Sequence, residues 1–152
     1  NDMAKKLAIK LSKSLKCVGL LAVEMFQCGD KILINEVAPR PHNSGHLTIE
    51  ACKTSQFQQH IRSIFDLKLG NTVHDGHAIM LNLVGDNNYS GKVLYENLDA
   101  VFEIKNANLH IYGKQETRPN RKMGHITIIC DNFEEGYNNA KLLKSKIKVK
   151  ST

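Results

Sequence analysis

Two short apolar runs near the start of this chain each carry one glutamate. Residues 18–26 read VGLLAVEMF and residues 31–37 read KILINEV, and the four residues QCGD lie between them. Two apolar runs joined by a short turn that contains glycine predict a β-hairpin. The hairpin constrains the fold strongly, because it fixes an antiparallel strand pair and limits which side chains can lie opposite each other.

The length of the hairpin turn decides whether the two glutamates lie side by side. A turn with an odd number of residues, centred near Asp30, places Glu24 opposite Glu36 with the side chains about 5 Å apart. A two-residue turn instead places Glu24 opposite Asn35 and separates the two acids. Opposed carboxylates repel unless a cation lies between them, and such oxygen ligands suit Mg²⁺ when substrate phosphates complete its shell. We favour this metal site over two acids exposed at a sheet edge, because Leu, Ile and Val surround both glutamates in the sequence.

A dense polar loop follows the second apolar run. Residues 35–46 read NEVAPRPHNSGH, and the two prolines stiffen the loop because each fixes its own φ. Cationic, imidazole, amide and hydroxyl groups on a stiff frame suit a site that binds an anion beside a metal ion. The candidate side chains of this loop are Arg40, His42, Asn43, Ser44 and His46.

The pattern of elements divides the chain near Gly70. The elements predicted before this residue are a helix at about residues 3–16, the hairpin, the polar loop and a helix at about residues 55–65. Four apolar residues of the second helix have the spacing of a core-facing stripe: Phe57, Ile61, Ile64 and Phe65. A turn-rich connector follows at residues 66–76.

The second part of the chain contains more strands. We predict strands at residues 77–85, 109–114 and 124–130, a helix near residues 94–102, a basic loop at residues 115–122, and a C-terminal helix that includes the lysine-rich residues 141–150. Strands and helices that alternate irregularly after an early hairpin favour an α+β fold over a doubly wound α/β fold.

The net charge of +6 arises largely from lysines beside apolar stripes at residues 3–16 and 141–150. Solvated faces of amphipathic helices explain this pattern better than a nucleic-acid surface, because no aromatic residues lie between the charges as stacking platforms. No apolar run of about 18 residues and no secretory signal occur, so we expect a cytoplasmic protein without a membrane partner. The four cysteines lack a CxxC spacing, which favours reduced thiols over a zinc site or disulfides.

Two separate motifs carry a resemblance to a known family. The first is AVEMF followed, after a short turn, by NEVAPRPHNSGHLTIEACKTSQFQQHIR, and the second is YGKQETRPNRKMGHIT at residues 112–127. In this order they resemble the ATP-grasp ligases of purine synthesis, and most closely the 5-(carboxyamino)imidazole ribonucleotide synthases, the ATPase subunits of phosphoribosylaminoimidazole carboxylase. The resemblance implies that residues 1–70 are the C-terminal half of an ATP-grasp domain and that residues 71–152 are a small C-terminal α/β domain.

The resemblance also implies an activity and the residues that perform it. These ATP-dependent carbon–nitrogen ligases use ATP and Mg²⁺ to carboxylate 5-aminoimidazole ribonucleotide with bicarbonate, through carboxyphosphate. On this sequence the implied metal ligands are Glu24 and Glu36, and the implied ATP-site residues are Asn35 and Glu36. The implied catalytic residues, which orient bicarbonate and stabilise carboxyphosphate, are Arg40 and His42. The implied substrate-binding residues are Asn43, Ser44, Lys114 and Arg121, of which the last two bind the 5′-phosphate.

Complete members of the family carry an N-terminal domain and a lid with a Gly-rich loop, and these 152 residues do not contain them. We therefore expect a portion of a longer, homodimeric enzyme that is inactive as this portion alone. Three alternatives stay open, one of which, a folded fragment that serves only as an interaction or dimerisation surface, has no direct support in the sequence. The formate-dependent glycinamide ribonucleotide formyltransferase has a similar loop, although Asp-Thr-Gly usually stands there where this chain has Asn43, Ser44 and Gly45. The remaining alternative is a non-catalytic basic module that binds nucleic acid.

Overall fold

The computed structural model describes residues 2–74 and 76–152, and the chain divides into two compact units, Asn1–His74 and Asp75–Thr152. The connector predicted at residues 66–76 contains neither helix nor strand in its described part, while its Asp75 lies outside the described residues. Each unit contains its own strand pairs and helices.

The first unit contains the predicted helix, hairpin, polar loop and second helix. Its elements are α1 (Asp2–Ser14), β1 (Ala22–Cys28), β2 (Lys31–Ala38), a 3₁₀ turn (Asn43–Gly45), α2 (Thr48–Ala51) and α3 (Gln56–Ile64). α3 begins at a capping box, in which the Ser55 hydroxyl accepts the Gln58 backbone N–H and the Gln58 side chain accepts the Ser55 N–H. These reciprocal hydrogen bonds satisfy two backbone donors at the start of the helix and fix where α3 begins.

The apolar stripe of α3 faces solvent, so the prediction that it forms core is wrong. The exposed fractions are 40, 52, 48 and 68% for Phe57, Ile61, Ile64 and Phe65. The polar face of the helix packs inward instead, where the Leu20 N–H donates to His60 Nδ1 at 2.9 Å. The Gly19 N–H likewise donates to Ser63 Oγ at 3.2 Å. Periodicity identifies the residues that share a helix face, but hydrogen-bonding partners elsewhere in the unit decide which face turns inward.

The second unit consists of two small antiparallel sheets and one long helix. Its elements are β3 (His77–Val84), β4 (Gly91–Glu96), a 3₁₀ turn (Leu98–Glu103), β5 (Ala107–Ile111), β6 (Glu116–Thr117), β7 (Lys122–Cys130), α4 (Phe133–Lys146) and β8 (Lys148–Ser151). The strand orders are β3-β7-β5 and β6-β4-β8, so the predicted α+β class is confirmed. None of the helices in the described residues has the length and apolar character needed to cross a membrane.

Two stretches predicted as helix are partly strand. The helix predicted near residues 94–102 is replaced by the end of β4 and a 3₁₀ turn, and the C-terminal helix ends at Lys146 so that β8 can form. β8 pairs with β4, and Val149 lies buried opposite Tyr95. Pairing between strands that are remote in sequence therefore overrides the local helical pattern in both stretches.

β7 and α4 build the hydrophobic core of the second unit. Ile126 and Ile128 lie two positions apart on β7, so their side chains lie on the same face of the strand. Both belong to this core. Gly136 lets α4 approach the sheet closely, because a Cβ at that position would overlap the Cys130 sulfur. The buried core residues are Leu83, Ala100, Val101, Met123, Ile126, Ile128, Ala140, Leu143, Ile147 and Val149.

Candidate functional site

A β-bulge in the first hairpin brings its two glutamates opposite each other. The turn has two residues, because Cys28 pairs with Lys31. The pairing then skips Asn35, so that Glu24 lies opposite Glu36. The sequence left two registers open, and the structure combines the short turn of one with the glutamate pair of the other. One extra residue in a strand is the local change that allows this combination.

The imidazole of His42 lies between the two carboxylates. Its Nδ1 is 3.6 Å from Glu24 Oε1, and its Nε2 is 3.7 Å from Glu36 Oε1. Nδ1 also lies 2.9 Å from the Ser44 hydroxyl. An imidazole placed in this way offers a polar nitrogen to each of the two acids.

Solvent reaches both acids, although their surroundings in the sequence are apolar. The exposed fractions of the Glu24 and Glu36 side chains are 39% and 53%. Leu33 and Ile34 of the same hairpin are themselves exposed, so the apolar residues around these acids in the sequence do not bury them. The hairpin is a two-stranded sheet in the described structure, so its apolar residues gain no cover from a third strand.

The other predicted residues of this region differ in how close they lie to the acids. Asn35 Nδ2 donates to Glu24 Oε2 at 3.4 Å, so the bulged residue contacts the pair directly. Arg40 is exposed, and its guanidinium donates at 3.1 Å to the carbonyl of the next residue, Pro41. Asn43 begins the 3₁₀ turn that follows His42.

The oxygen donors of the hairpin fit a magnesium ion that substrate phosphates help to hold. Glu24 and Glu36 present carboxylates from one strand pair, and Asn35 adds an amide beside them. Mg²⁺ prefers such hard oxygen ligands and commonly takes the rest of its shell from water and substrate phosphates. Within residues 2–74 and 76–152, no group of three or more His, Cys, Asp or Glu residues could hold a metal ion. Glu24 and Glu36 are thus the two acidic ligands that the hairpin offers to such an ion.

The sequence did not indicate Gln56, the residue that holds this loop in place. Gln56 is buried, and its side chain hydrogen-bonds to the backbone of His42 and contacts the ring of His46. The capping box around Ser55 marks the start of α3, so the helix boundary could be found from the sequence. Nothing in the local pattern shows that the first helical residue reaches back to the polar loop.

The basic loop of the second unit brings together the cations of Lys114, Arg118 and Arg121. Partial burial, followed by the positive charges of Arg121 and Arg118, lowers the pKa of Lys114 below the ordinary lysine value. Two of these cations are anchored to loop carbonyls: Lys114 Nζ donates to Lys122 O at 2.6 Å, and Arg121 Nη1 donates to Glu116 O at 3.0 Å. Like charges held together in this way suit the binding of a phosphate.

Two histidines of the sheet, His110 and His125, lie beneath this loop, and no sequence pattern marks them. His125 of β7 lies opposite His110 of β5, and the rings stack with centroids 4.4 Å apart and planes 11° apart. The Tyr112 hydroxyl lies 2.9 Å from His125 Nδ1. The ammonium of Lys114 in turn lies 5.7 Å from the centre of the Tyr112 ring. Strand register, which the sequence spacing did not reveal, produces this stacked arrangement.

Comparison with known proteins identifies both units. Residues 1–57 match the ATP-grasp domain, and residues 78–138 match the phosphoribosylaminoimidazole carboxylase C-terminal domain. The N5-carboxyaminoimidazole ribonucleotide synthase of Bacillus subtilis is 50% identical over 127 residues, which are 83% of this chain and 32% of that protein. The crystal structure of N5-carboxyaminoimidazole ribonucleotide synthetase from Thermotoga maritima has a TM-score of 0.92 at 46% identity, covering 99% of this chain and 42% of that chain. This chain belongs to the N5-carboxyaminoimidazole ribonucleotide synthase family.

The match to the synthase family is partial in length. The chain spans 32% of the B. subtilis relative, and it corresponds to the C-terminal portion of these synthases. The N5-carboxyaminoimidazole synthase of Aspergillus clavatus, in complex with ADP and 5-aminoimidazole ribonucleotide, has a TM-score of 0.81 at 36% identity, covering 95% of this chain and 39% of that chain. The family predicted from the two sequence motifs is confirmed, and so is the order of its two segments.

Proposed function

We propose that this chain is the C-terminal portion of an ATP-dependent ligase that carboxylates 5-aminoimidazole ribonucleotide with bicarbonate in de novo purine biosynthesis. The observation that carries the proposal is the hairpin register, in which a bulge at Asn35 sets Glu24 opposite Glu36 with the His42 ring between them. Paired carboxylates on one strand pair suit a metal–nucleotide complex. The B. subtilis relative is an N5-carboxyaminoimidazole ribonucleotide synthase, and the A. clavatus complex contains ADP and 5-aminoimidazole ribonucleotide.

The hairpin binds ATP in this proposal. Glu24 and Glu36 would hold Mg²⁺ there together with the nucleotide, and Asn35 lies beside them. An ion held there would supply positive charge close to the transferring phosphate. A bicarbonate oxygen attacks the γ-phosphorus of ATP, the bond to ADP breaks, and carboxyphosphate forms.

The polar loop binds bicarbonate and carboxyphosphate in this proposal. Arg40 and His42 orient bicarbonate and stabilise the carboxyphosphate anion, a task that suits fixed donors aimed at developing negative charge. Asn43 and Ser44 contact the ribonucleotide or the carboxylate. The exocyclic amine then bonds to the carbon of carboxyphosphate, or of CO₂ released from it, while phosphate leaves and the amine loses a proton.

The second unit binds the substrate phosphate. Lys114 and Arg121 contact the 5′-phosphate of the ribonucleotide, and Arg118 keeps the loop in shape. Support comes from the lowered pKa of Lys114, since burial and neighbouring positive charge disfavour an ammonium that has no anion beside it. In domain terms, residues 1–70 supply the metal, ATP and bicarbonate site, and residues 71–152 supply the phosphate loop.

The proposal is tested by ADP formation from ATP with the complete gene product that contains this segment. The assay contains bicarbonate, with and without 5-aminoimidazole ribonucleotide, and we expect the ribonucleotide to stimulate ADP formation. A response to glycinamide ribonucleotide with formate instead would assign the chain to the formyltransferase alternative. If neither ribonucleotide stimulated ADP formation, both ligase functions would be contradicted. Salt-sensitive binding of nucleic acid would then favour the basic-module alternative.

The isolated 152 residues are expected to form no ADP above background in the same assay. The reason is that they contain no Gly-rich loop to cover the phosphates of ATP. The complete protein at equal molar concentration serves as the positive control. Measurable ATP turnover by the isolated chain would contradict this prediction.

We further propose that the complete enzyme is a cytoplasmic homodimer. Sedimentation equilibrium of the complete enzyme tests whether it is a dimer.

Alkaline pH is expected to weaken binding of the ribonucleotide. The pKa of Lys114 lies below the ordinary lysine value, so the ammonium loses its proton, and the phosphate loses a charged partner, as the pH rises through that lowered pKa. The KM for the ribonucleotide should therefore rise at a lower pH than an ordinary lysine would dictate. An Arg118→Gln variant should move this rise to higher pH, because it removes one of the charges that lower the pKa of Lys114. A Lys114→Met variant that keeps the same pH dependence would exclude Lys114 as its source.

A further inference from the structure

The side-chain amide of Gln56, the first residue of α3, hydrogen-bonds to both backbone polar groups of His42. Its Oε1 accepts the His42 N–H at 3.0 Å, and its Nε2 donates to the His42 carbonyl at 2.9 Å. The same Nε2 lies 2.7 Å from Nδ1 of His46, whose ring stacks on Phe57 with centroids 5.4 Å apart. Both hydrogens of the amide nitrogen are therefore engaged, and the residue is only 6% exposed.

We propose that Gln56 is a positioning residue of the site, through which α3 sets the place of the His42 ring between the two carboxylates. Hydrogen bonds to the N–H and the carbonyl of one residue restrain its φ and ψ together, and His42 has an extended backbone with φ −125° and ψ 151°. A fixed backbone aims the Cβ, and the ring then reaches Glu24 and Glu36 at 3.6 and 3.7 Å. This inference rests on the proposed function, because His42 is there assigned to bicarbonate and carboxyphosphate.

The polar loop is shaped around the Gln56 amide from the other side as well. A Cβ at Gly45 would lie 2.5 Å from Gln56 Oε1, so a residue larger than glycine would push the amide away from His42. The Thr48 hydroxyl accepts the Gln56 backbone N–H at 2.9 Å and donates to the Gly45 carbonyl at 2.6 Å. Thr48 thus ties the first residue of α3 to the polar loop, and hydrogen bonds are stronger in such a low-dielectric setting than in water.

Gln59, one turn further along the same helix, provides a matched control. Its Nε2 donates to the Gly70 carbonyl at 2.8 Å, and its Oε1 accepts the Gly70 N–H at 3.0 Å. Gln59 thus makes the same pair of hydrogen bonds to one backbone residue, but that residue lies outside the polar loop. Methionine has nearly the shape of glutamine and no amide, so Gln59→Met and Gln56→Met remove the same kind of contact from one helix.

The test measures steady-state kinetics of the complete enzyme with Gln56→Met and with Gln59→Met. We expect Gln56→Met to lower kcat about tenfold and to raise the KM for bicarbonate, as supporting contacts around a reactive group typically do. The KM for the ribonucleotide should change less than about twofold, because Lys114 and Arg121 of the other unit bind its phosphate. Gln59→Met should leave all three constants within about twofold of the wild-type values, although both variants lower the melting temperature.

Equal kinetic constants for the two variants would overturn the proposal, since loss of folded enzyme alone lowers kcat without changing the KM for bicarbonate. Gly45→Ala is a second route to the same defect and should reproduce the kinetics of Gln56→Met. Hydrogen exchange on the complete protein tests the contact independently of activity: Gln56→Met should speed exchange of the His42 amide, and Gln59→Met that of Gly70. Unchanged exchange at His42 would also overturn the proposal, whereas a wild-type enzyme that fails to respond to the ribonucleotide would overturn the proposed function itself.

Discussion

Glu36→Gln in the complete enzyme is expected to lower kcat by about 10²–10³-fold, since a bound metal ion contributes several kcal/mol to stabilising the charge of phosphoryl transfer. The substitution keeps the shape of the side chain but removes the charge that pairs with Mg²⁺. The free energy of unfolding should change by less than about 0.5 kcal/mol, because the side chain is largely exposed. Removing one of two opposed acids also relieves repulsion with Glu24, which favours the folded state.

Glu103→Gln is the matched control for this prediction. Glu103 is an exposed acid that pairs with Lys146 at 3.3 Å, so its neutralisation changes the net charge equally and removes one surface ion pair. Its kcat should equal that of the wild-type enzyme. The measurement is ADP formation at saturating ATP, bicarbonate and ribonucleotide across a series of Mg²⁺ concentrations. Wild-type turnover by Glu36→Gln would remove Glu36 from the metal-binding residues.

Combining Lys114→Met with Arg121→Gln is expected to raise the KM for the ribonucleotide by about 10²-fold or more. Each charged hydrogen bond to a phosphate is worth about 1.5–3 kcal/mol, and about 1.4 kcal/mol corresponds to tenfold in affinity. The two residues interact, since the charge of Arg121 lowers the pKa of Lys114, so the single variants should not add up to the effect of the pair. The KM for ATP should stay close to the wild-type value.

Lys105→Met with Lys141→Met controls for the loss of positive charge. Both lysines are exposed and belong to the second unit, so this pair removes the same net charge without touching the basic loop. The KM for the ribonucleotide should stay within about twofold of wild type, because screened surface charges contribute little at physiological salt. If the control pair raised this KM as much as the loop pair, general attraction by a basic surface would explain ribonucleotide binding. The specific phosphate site at Lys114 and Arg121 would then be contradicted.

The sequence predicted those elements that depend on interactions between residues close together along the chain. The hairpin was predicted because two apolar runs flank a glycine-containing turn, and β1 and β2 form it. The helices α1 and α3 of the first unit were also predicted, whereas the short α2 was not, and the two motifs identified the family. The roles of the individual site residues stay predictions, because neither the fold nor the likeness to known proteins tests them.

Elements whose state depends on a remote partner were predicted less well. Residues 148–151 resemble the end of an amphipathic helix, yet β4 recruits them into a sheet and buries Val149. α3 was predicted as a helix but with the wrong face inward, because its polar residues find backbone partners at Gly19 and Leu20. In both cases the free energy of a long-range contact exceeds a local preference that is worth a fraction of a kcal/mol per residue.

The amino-acid sequence by itself determined the family, the α+β class and the set of polar groups available to the site. Only the tertiary structure decided how those groups meet. The bulge at Asn35 aligns Glu24 with Glu36, and the amide of Gln56 holds the backbone of His42. Neither contact follows from spacing along the chain, because each depends on hydrogen bonds between segments that folding brings together, and those bonds form only where backbone donors and acceptors match in register.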